Sequence, residues 1–275
     1  MENDFKNIVS TDWLEQHLEA PDIRVIDSSW YFPHEKRNAQ QEFVECHIPG
    51  ASFFNIDEIK DNESVLPHML PPSHMFNSTV RKLGIGDGHR VVIYDGLGMR
   101  SAARLWWMFK VFGYSDVVVL DGGFPKWVKE NRSITADLTE KEIRHLTIYE
   151  DKSIVADRDD VQRATKLNHC SIIDARSEGR FLGTEPEPRS GLRSGSIKNS
   201  INVPYETLLN EDFTFKKKQE ILDIFSQKGI VFSNYIITTC GSGVTAAVLY
   251  LTLDEIGCSK ISLYDGSWAE WGKID

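Results

Sequence analysis

The feature that most constrains this chain is that it contains the same pattern twice. Val91-Val92-Ile93-Tyr94-Asp95-Gly96-Leu97-Gly98 has the form of Ile236-Ile237-Thr238-Thr239-Cys240-Gly241-Ser242-Gly243, with Cys240 standing 145 positions after Asp95. Leu120-Asp121-Gly122-Gly123-Phe124-Pro125-Lys126-Trp127 pairs with Tyr264-Asp265-Gly266-Ser267-Trp268-Ala269-Glu270-Trp271, 144 positions on, and Val25-Ile26-Asp27 pairs with Ile172-Ile173-Asp174. Gly113 and Gly257 close the two matching helical stretches, where a left-handed residue commonly ends a helix. Three anchors in one order, separated by small insertions, indicate a duplicated unit. The 275 residues give each copy about 130, enough to bury a core of its own.

Each copy alternates short β-branched runs with helical stretches. Helices are expected over 11–18, 74–83 and the run after Gly98 in the first copy, and over 159–165, 217–227 and 245–256 in the second. Strands alternating with helices predict an α/β fold: two tandem domains, each a mainly parallel sheet flanked by helices. Residues 136–150, within a stretch from Asn131 to Asp151 that is polar, mixed in charge and free of Gly and Pro, are expected to link a first domain, 1–135, to a second, 151–275.

Cys240 is the residue in which the two copies differ most consequentially. A β-branched strand ends on it, Gly241 and Gly243 let the backbone curl, and the apolar stretch from Thr245 runs on as a helix. Main-chain N–H groups and a helix N-terminus then favour an anion at that point. A thiol of ordinary acidity, near pKa ~8.5, is only a few per cent thiolate at neutral pH, so such a setting matters for reactivity. The bland alternative is a small buried residue at a strand end. Glycines at +1 and +3, where packing would prefer side chains, favour a nucleophile. Asp95 fills the corresponding place in the first copy; a carboxylate cannot accept and release sulfur, so that copy is expected to be catalytically silent, forming a wall of the cleft or capping its own loop. Cys46, Cys170 and Cys258 have no glycine loop and read as structural.

Bulk composition narrows the function by exclusion. The net charge of −10 argues against nucleic-acid or anionic-membrane surfaces. No run approaches the ~18 apolar residues of a membrane span, and the N-terminal segment shows no leader pattern. Four cysteines without CxxC or metal spacing fit a reducing cytoplasm. No Walker loop, GxGxxG or ligand cluster is present, so no metal, nucleotide or flavin cofactor is expected. A cysteine phosphatase would need an arginine six positions after the cysteine, where this chain has Ala246.

These residues resemble the tandem-domain rhodanese superfamily over nearly the whole chain, from about Val9 to Gly272. Within it, Cys240-Gly241-Ser242-Gly243-Val244-Thr245 looks like the loop of the 3-mercaptopyruvate sulfurtransferases; the thiosulfate-preferring rhodaneses are similar but carry basic residues where this loop has Gly241 and Ser242. The resemblance implies a persulfide on Cys240, substrate held by Arg180 and Arg189 with the loop residues Gly241, Gly243, Val244 and Thr245, and a proton relay of Ser242, His68 and Asp57. It implies a small-molecule sulfur donor, release of pyruvate, and a thiol, cyanide or thioredoxin-like acceptor. Thiosulfate transfer, or a non-catalytic sulfur-carrier role, is the competing function. Without the family, Arg180 and Arg189 would read as surface loop arginines and His68 as a packed loop residue. Arg176 reads as a local ion-pair partner, and Arg193 is undecided. The chain departs from the family at Gly195-Ser196-Ile197-Lys198-Asn199, where a Gly-His-Ile-Pro-Gly turn is usual and the first copy keeps His47-Ile48-Pro49-Gly50.

Overall fold

The computed structural model describes residues 5–274. Residues 1–4 and Asp275, the outermost positions of the two expected domains and part of the segment read for a leader, lie outside the described residues. The chain forms two compact units. The first comprises residues up to Lys60, 71–150 and 210–215; the second comprises 61–70, 151–209 and 216 onward.

In the first unit the strands are β1 (Ile8–Val9), β2 (Ile23–Asp27), β3 (Ser52–Phe53), β4 (Arg90–Tyr94) and β5 (Val117–Leu120). They form one sheet in the order β1-β5-β4-β2-β3, with every pair parallel. Helices α1 (Thr11–His17), α2 (Ala39–Glu45), α3 (Ser73–Lys82), α4 (Ser101–Val111) and α5 (Gly123–Lys129) connect them. The second unit repeats this with β6 (Val155–Ala156), β7 (Cys170–Asp174), β8 (Ser200–Asn202), β9 (Tyr235–Thr239) and β10 (Ile261–Tyr264), ordered β6-β10-β9-β7-β8 and again all parallel. Its helices are α6 (Arg158–Ala164), α7 (Glu178–Leu182), α8 (Lys218–Gln227), α9 (Ala246–Glu255) and α10 (Ser267–Trp271).

Burial explains the strand sequences. The central strands β4 and β9 are covered on both faces, so they read as continuous apolar and β-branched runs rather than alternating ones. The helices leaving them are buried nearly all round: only Lys110 of α4 and Asp254 of α9 escape. Because neighbours on both sides of β4 and of β9 are reached in opposite directions along the sheet, the carboxyl end of each central strand is a topological switch point, where α/β sheets place their sites.

Residues 136–150 contain no helix or strand and lie along the first unit. The amide of Asp87 donates to His145 O and that of Tyr149 to Phe112 O, and Leu146 is buried. The aberrant turn at 195–199 keeps the geometry of its counterpart. Ala51 N donates to Ile48 O at 3.0 Å and Ser200 N to Ile197 O at 3.1 Å. Asn199 takes φ 62° where Gly50 takes 75°; asparagine tolerates this left-handed region better than most side chains.

Candidate active site

Cys240 follows β9 directly and is 2% exposed. Three contacts fix its backbone. Its amide donates to the Ser267 hydroxyl at 3.3 Å; its carbonyl accepts from Trp268 N at 3.0 Å; and Gly241 O accepts from Ala269 N at 2.8 Å. In a trans peptide the carbonyl and the following N–H point opposite ways. With both carbonyls turned to α10, the amides of Gly241 and Ser242 point away from it. Gly243 then takes φ 77° to enter α9, a conformation that would strain any residue bearing a Cβ.

The first unit shows what this loop is shaped to hold. Asp95 Oδ1 accepts from the amide of Leu97 at 2.9 Å, and Oδ2 accepts from those of Arg100 and Ala102 at 2.7 and 2.8 Å. Its carbonyl receives Phe124 N at 3.0 Å, as Cys240 O receives Trp268 N. The carboxylate is an anion seated in the loop by main-chain donors. The equivalent amides in the second unit are those of Ser242, Thr245 and Ala247. Ala247 N is taken by Val244 O, so Ser242 and Thr245 correspond to the donors available to a sulfur anion on Cys240. These three hydrogen bonds are the loop cap expected of Asp95.

Around the loop, Ser242 is 3% exposed and stands between two partners. Its Oγ lies 3.0 Å from His68 Nδ1 and accepts from Arg189 Nη2 at 3.3 Å. The serine oxygen thus joins the guanidinium to the imidazole, with the tautomer of His68 setting which of the pair donates. His68 is 4% exposed, at φ 58°. It comes from the segment 61–70, which belongs to the second unit although it precedes α3 in sequence. Two residues further on, Leu70 N donates to Asp265 Oδ2 at 2.8 Å, which pins the segment. The first unit uses the same device: Phe215 N donates to Asp121 Oδ1 at 2.9 Å, Asp121 being the counterpart of Asp265.

The arginines of 176–193 separate by role. Arg176 is buried, with Nε and Nη2 on the Asp174 carboxylate (Nη2 at 2.7 Å), Nη1 on Glu187 at 2.7 Å and Nη2 also on Gly195 O. Burial opposes its charge, but Asp174 and Glu187 outweigh this and raise its pKa. It is the local ion-pair residue expected. Arg180 is half-buried, with Nη2 2.6 Å from Glu187 Oε2; an ideal Cβ on Gly241 would stand 2.9 Å from that same nitrogen. The glycine at 241 is therefore what lets a guanidinium lie against the nucleophile loop. Arg193 lies over the Trp268 ring at 5.1 Å, the ring that Arg176 also covers at 4.4 Å. Val244 is buried and Thr245 nearly so, both in the turn into α9.

Asp57 belongs to the first unit, where it is exposed and its Oδ2 accepts from Trp30 Nε1 at 3.0 Å. Cys46 and Cys170 have pKa values raised by burial, and burial pushes Cys258 up to about 11, with the charge of Asp254 adding to it. All four cysteines are free thiols. Sequence reasoning passed over Glu187, Ser267 and Asp265. The acid at 187, two positions before Arg189, was a local signal for the first; the other two act through contacts distant in sequence. Among the described residues no cluster of His, Cys, Asp or Glu could hold a metal, and no helix is long and apolar enough to cross a membrane.

Two α/β units of one topology, the second carrying a cysteine on a loop built for an anion, define a class of sulfur- or phosphate-handling proteins, and the comparisons narrow it. The rhodanese-like domain model matches residues 10–130 and 157–274. The 3-mercaptopyruvate sulfurtransferase of Mus musculus is 39% identical over 97% of this chain and 92% of its own length, and the thiosulfate sulfurtransferase of Bos taurus is 39% identical with the same coverage. The crystal structure of SseA from Escherichia coli, described as a 3-mercaptopyruvate sulfotransferase, superposes with a TM-score of 0.88 at 36% identity, covering 96% of this chain and 100% of that one. This chain belongs to the rhodanese-like domain family, with the domain present twice.

Proposed function

We propose that this protein is a sulfurtransferase that takes sulfur from 3-mercaptopyruvate, carries it as a persulfide on Cys240 and passes it to a thiol or cyanide. Identity does not choose the donor, because relatives named for mercaptopyruvate and for thiosulfate are equally similar. The observation that carries the choice is that the loop residues beside Cys240, Gly241 and Ser242, are themselves neutral, and that the cations reaching them are planar guanidinium groups, Arg180 against Gly241 and Arg189 on the Ser242 hydroxyl. Thiosulfate is a compact dianion that gains most from cations next to the sulfur. Mercaptopyruvate carries its charge on a carboxylate remote from the sulfur, and planar guanidinium groups suit a carboxylate and its neighbouring carbonyl.

In this mechanism the Cys240 thiolate attacks the substrate sulfur and the C–S bond breaks. Its electron pair leaves on carbon as the enolate of pyruvate, which takes up a proton. Ser242, bonded to His68, delivers it. The resemblance alone supports Asp57 as the outer carboxylate of that relay. The amides of Ser242 and Thr245 hold the persulfide anion. An acceptor thiolate then attacks the outer sulfur and Cys240 leaves, so the kinetics are double-displacement. Small thiols, cyanide or a reduced thioredoxin-like protein serve as acceptor. Free thiols throughout support a reducing compartment such as the cytoplasm.

A side-by-side donor assay with intact-mass detection tests this. Mercaptopyruvate should add one sulfur atom to the protein and release pyruvate faster than thiosulfate releases sulfite. Cys240→Ser should add no sulfur and release no pyruvate while its circular dichroism stays unchanged; appreciable turnover by that variant removes the nucleophile assignment.

A further inference from the structure

Glu187 is a carboxylate joined to both the buried framework and a proposed substrate arginine. Its side chain is 2% exposed; Oε1 receives Arg176 Nη1 at 2.7 Å and, more weakly, Arg180 Nε at 3.4 Å, and Oε2 receives Arg180 Nη2 at 2.6 Å. Arg176 is in turn locked to Asp174 at the carboxyl end of β7, with the pair 0% and 1% exposed. Asp174 is further fixed by Asn202, whose Nδ2 donates to the carbonyls of Asp174 and Arg176. The chain of contacts thus runs from the strand end through Arg176 and Glu187 to a guanidinium lying against Gly241. A free arginine side chain loses appreciable rotamer entropy when a ligand immobilises it, and here that loss is taken at folding.

Charge adds a second consequence. Asp174, Arg176, Glu187, Arg180 and Arg189 together carry one net positive charge; without Glu187 they would carry two. We propose that Glu187 is a positioning residue for donor binding: it aims Arg180 at the substrate carboxylate while cancelling a charge that would otherwise attract anions indiscriminately. This rests on Arg180 being a substrate arginine, as proposed above. Recognition then depends on geometry, and the two effects of Glu187 have opposite signs for two kinds of anion.

The test uses the full chain with mercaptopyruvate as donor and inorganic sulfate as competing anion. Glu187→Gln should raise KM for mercaptopyruvate roughly tenfold, the scale of one hydrogen bond to a charged group, with kcat falling much less. It should at the same time lower the inhibition constant for sulfate severalfold. Glu187→Asp retains the charge and shifts its position, so KM should rise with sulfate inhibition unchanged. Thermal unfolding and the alkylation rate of Cys240 report whether the fold and nucleophile are intact. If KM and sulfate binding weaken together, or KM does not move, Glu187 does not position Arg180 and the proposal is overturned. Should the glutamine variant fail to fold, the aspartate variant decides it: KM unmoved, or sulfate binding altered along with it, overturns the proposal. Arg180→Ala separates the two levels. If it leaves KM unchanged, the substrate role of Arg180 is wrong; if it raises KM while the Glu187 variants do not, only the role of Glu187 falls.

Discussion

Ser242 occupies a place where small changes of chemistry have large consequences. Its hydroxyl accepts from Arg189 and faces His68 Nδ1, so one oxygen joins substrate binding to proton delivery. Removing it leaves the loop backbone intact, because the amide that corresponds to an anion donor belongs to the main chain. Ser242→Ala is therefore expected to slow pyruvate formation by roughly a hundredfold, the usual scale of a general acid–base contribution, while Cys240 is alkylated by a neutral reagent at the wild-type rate. Pyruvate formation at the wild-type rate would show that the proton reaches the enolate by another route. Cys240, Gly241 and Gly243 could be picked out from sequence because their chemistry is local: a strand end, two glycines and a helix start are enough to build the turn; the role of Ser242 needed the family resemblance. Arg180 and Arg189 needed the family resemblance, since the ion pair with Glu187 and the contact with Ser242 that fix them are formed only when separate loops fold together.

At the level of elements, the helices given bounds from sequence, α1, α3, α6, α8 and α9, were readable to within a residue or two, whereas α2 and α7 fall in stretches that read as loop. Gly113 follows α4 at φ 77° and Gly257 follows α9 at φ 93°, both closing the helix in the left-handed region. Their surroundings differ. A Cβ on Gly257 would meet nothing within 4 Å, whereas one on Gly113 would stand 2.5 Å from Tyr149 O. Gly257→Ala should cost only backbone strain, about 1 kcal/mol. Gly113→Ala should cost clearly more, because the 136–150 segment must move away. Chemical denaturation of the two variants compares them directly, and equal losses would mean that Tyr149 is not held as tightly as its bond to Phe112 indicates. What sequence could not supply at this scale was partnership over distance. Nothing in Pro67-His68-Met69-Leu70 indicates that its anchor is Asp265, nor in the 210–215 stretch that its anchor is Asp121. Each is an amide-to-carboxylate bond between segments far apart in the chain. The polar 136–150 stretch read as a linker for the same reason: its partners, among them Asp87, Asn77 and Arg81, lie about 60 residues or more away in the chain.

Taken whole, the molecule is a duplication in which one copy serves as an internal control for the other, and a single position shows how far the copies have diverged electrostatically. Asp27 and Asp174 end equivalent strands, and each is followed two residues later by its nearest partner. In the second unit that partner is Arg176, which forms a buried ion pair with Asp174. In the first it is Ser29, whose amide donates to Asp27 Oδ1 at 2.8 Å and brings no charge. Burial consequently dominates at Asp27 and raises its pKa to about 7. Hydrogen bonds from Ser29 and Tyr94 oppose this incompletely, and the charge of Asp95 adds to it. In the unfolded chain the group titrates near ~3.9. Between these two values the native state holds a proton that the unfolded state has released, so stability falls as pH rises from about 4 to 7 and levels off above. Over roughly three pH units the loss attributable to Asp27 is on the order of 4 kcal/mol. Asp27→Asn keeps an acceptor for the Ser29 amide and cannot ionise. Relative to wild type it should therefore be more stabilised at pH 8 than at pH 4 by about that amount, in denaturant titrations that follow the first unit. Parallel stability curves for the two proteins would mean that water or a counter-charge reaches Asp27, and that the missing arginine is not what sets its protonation.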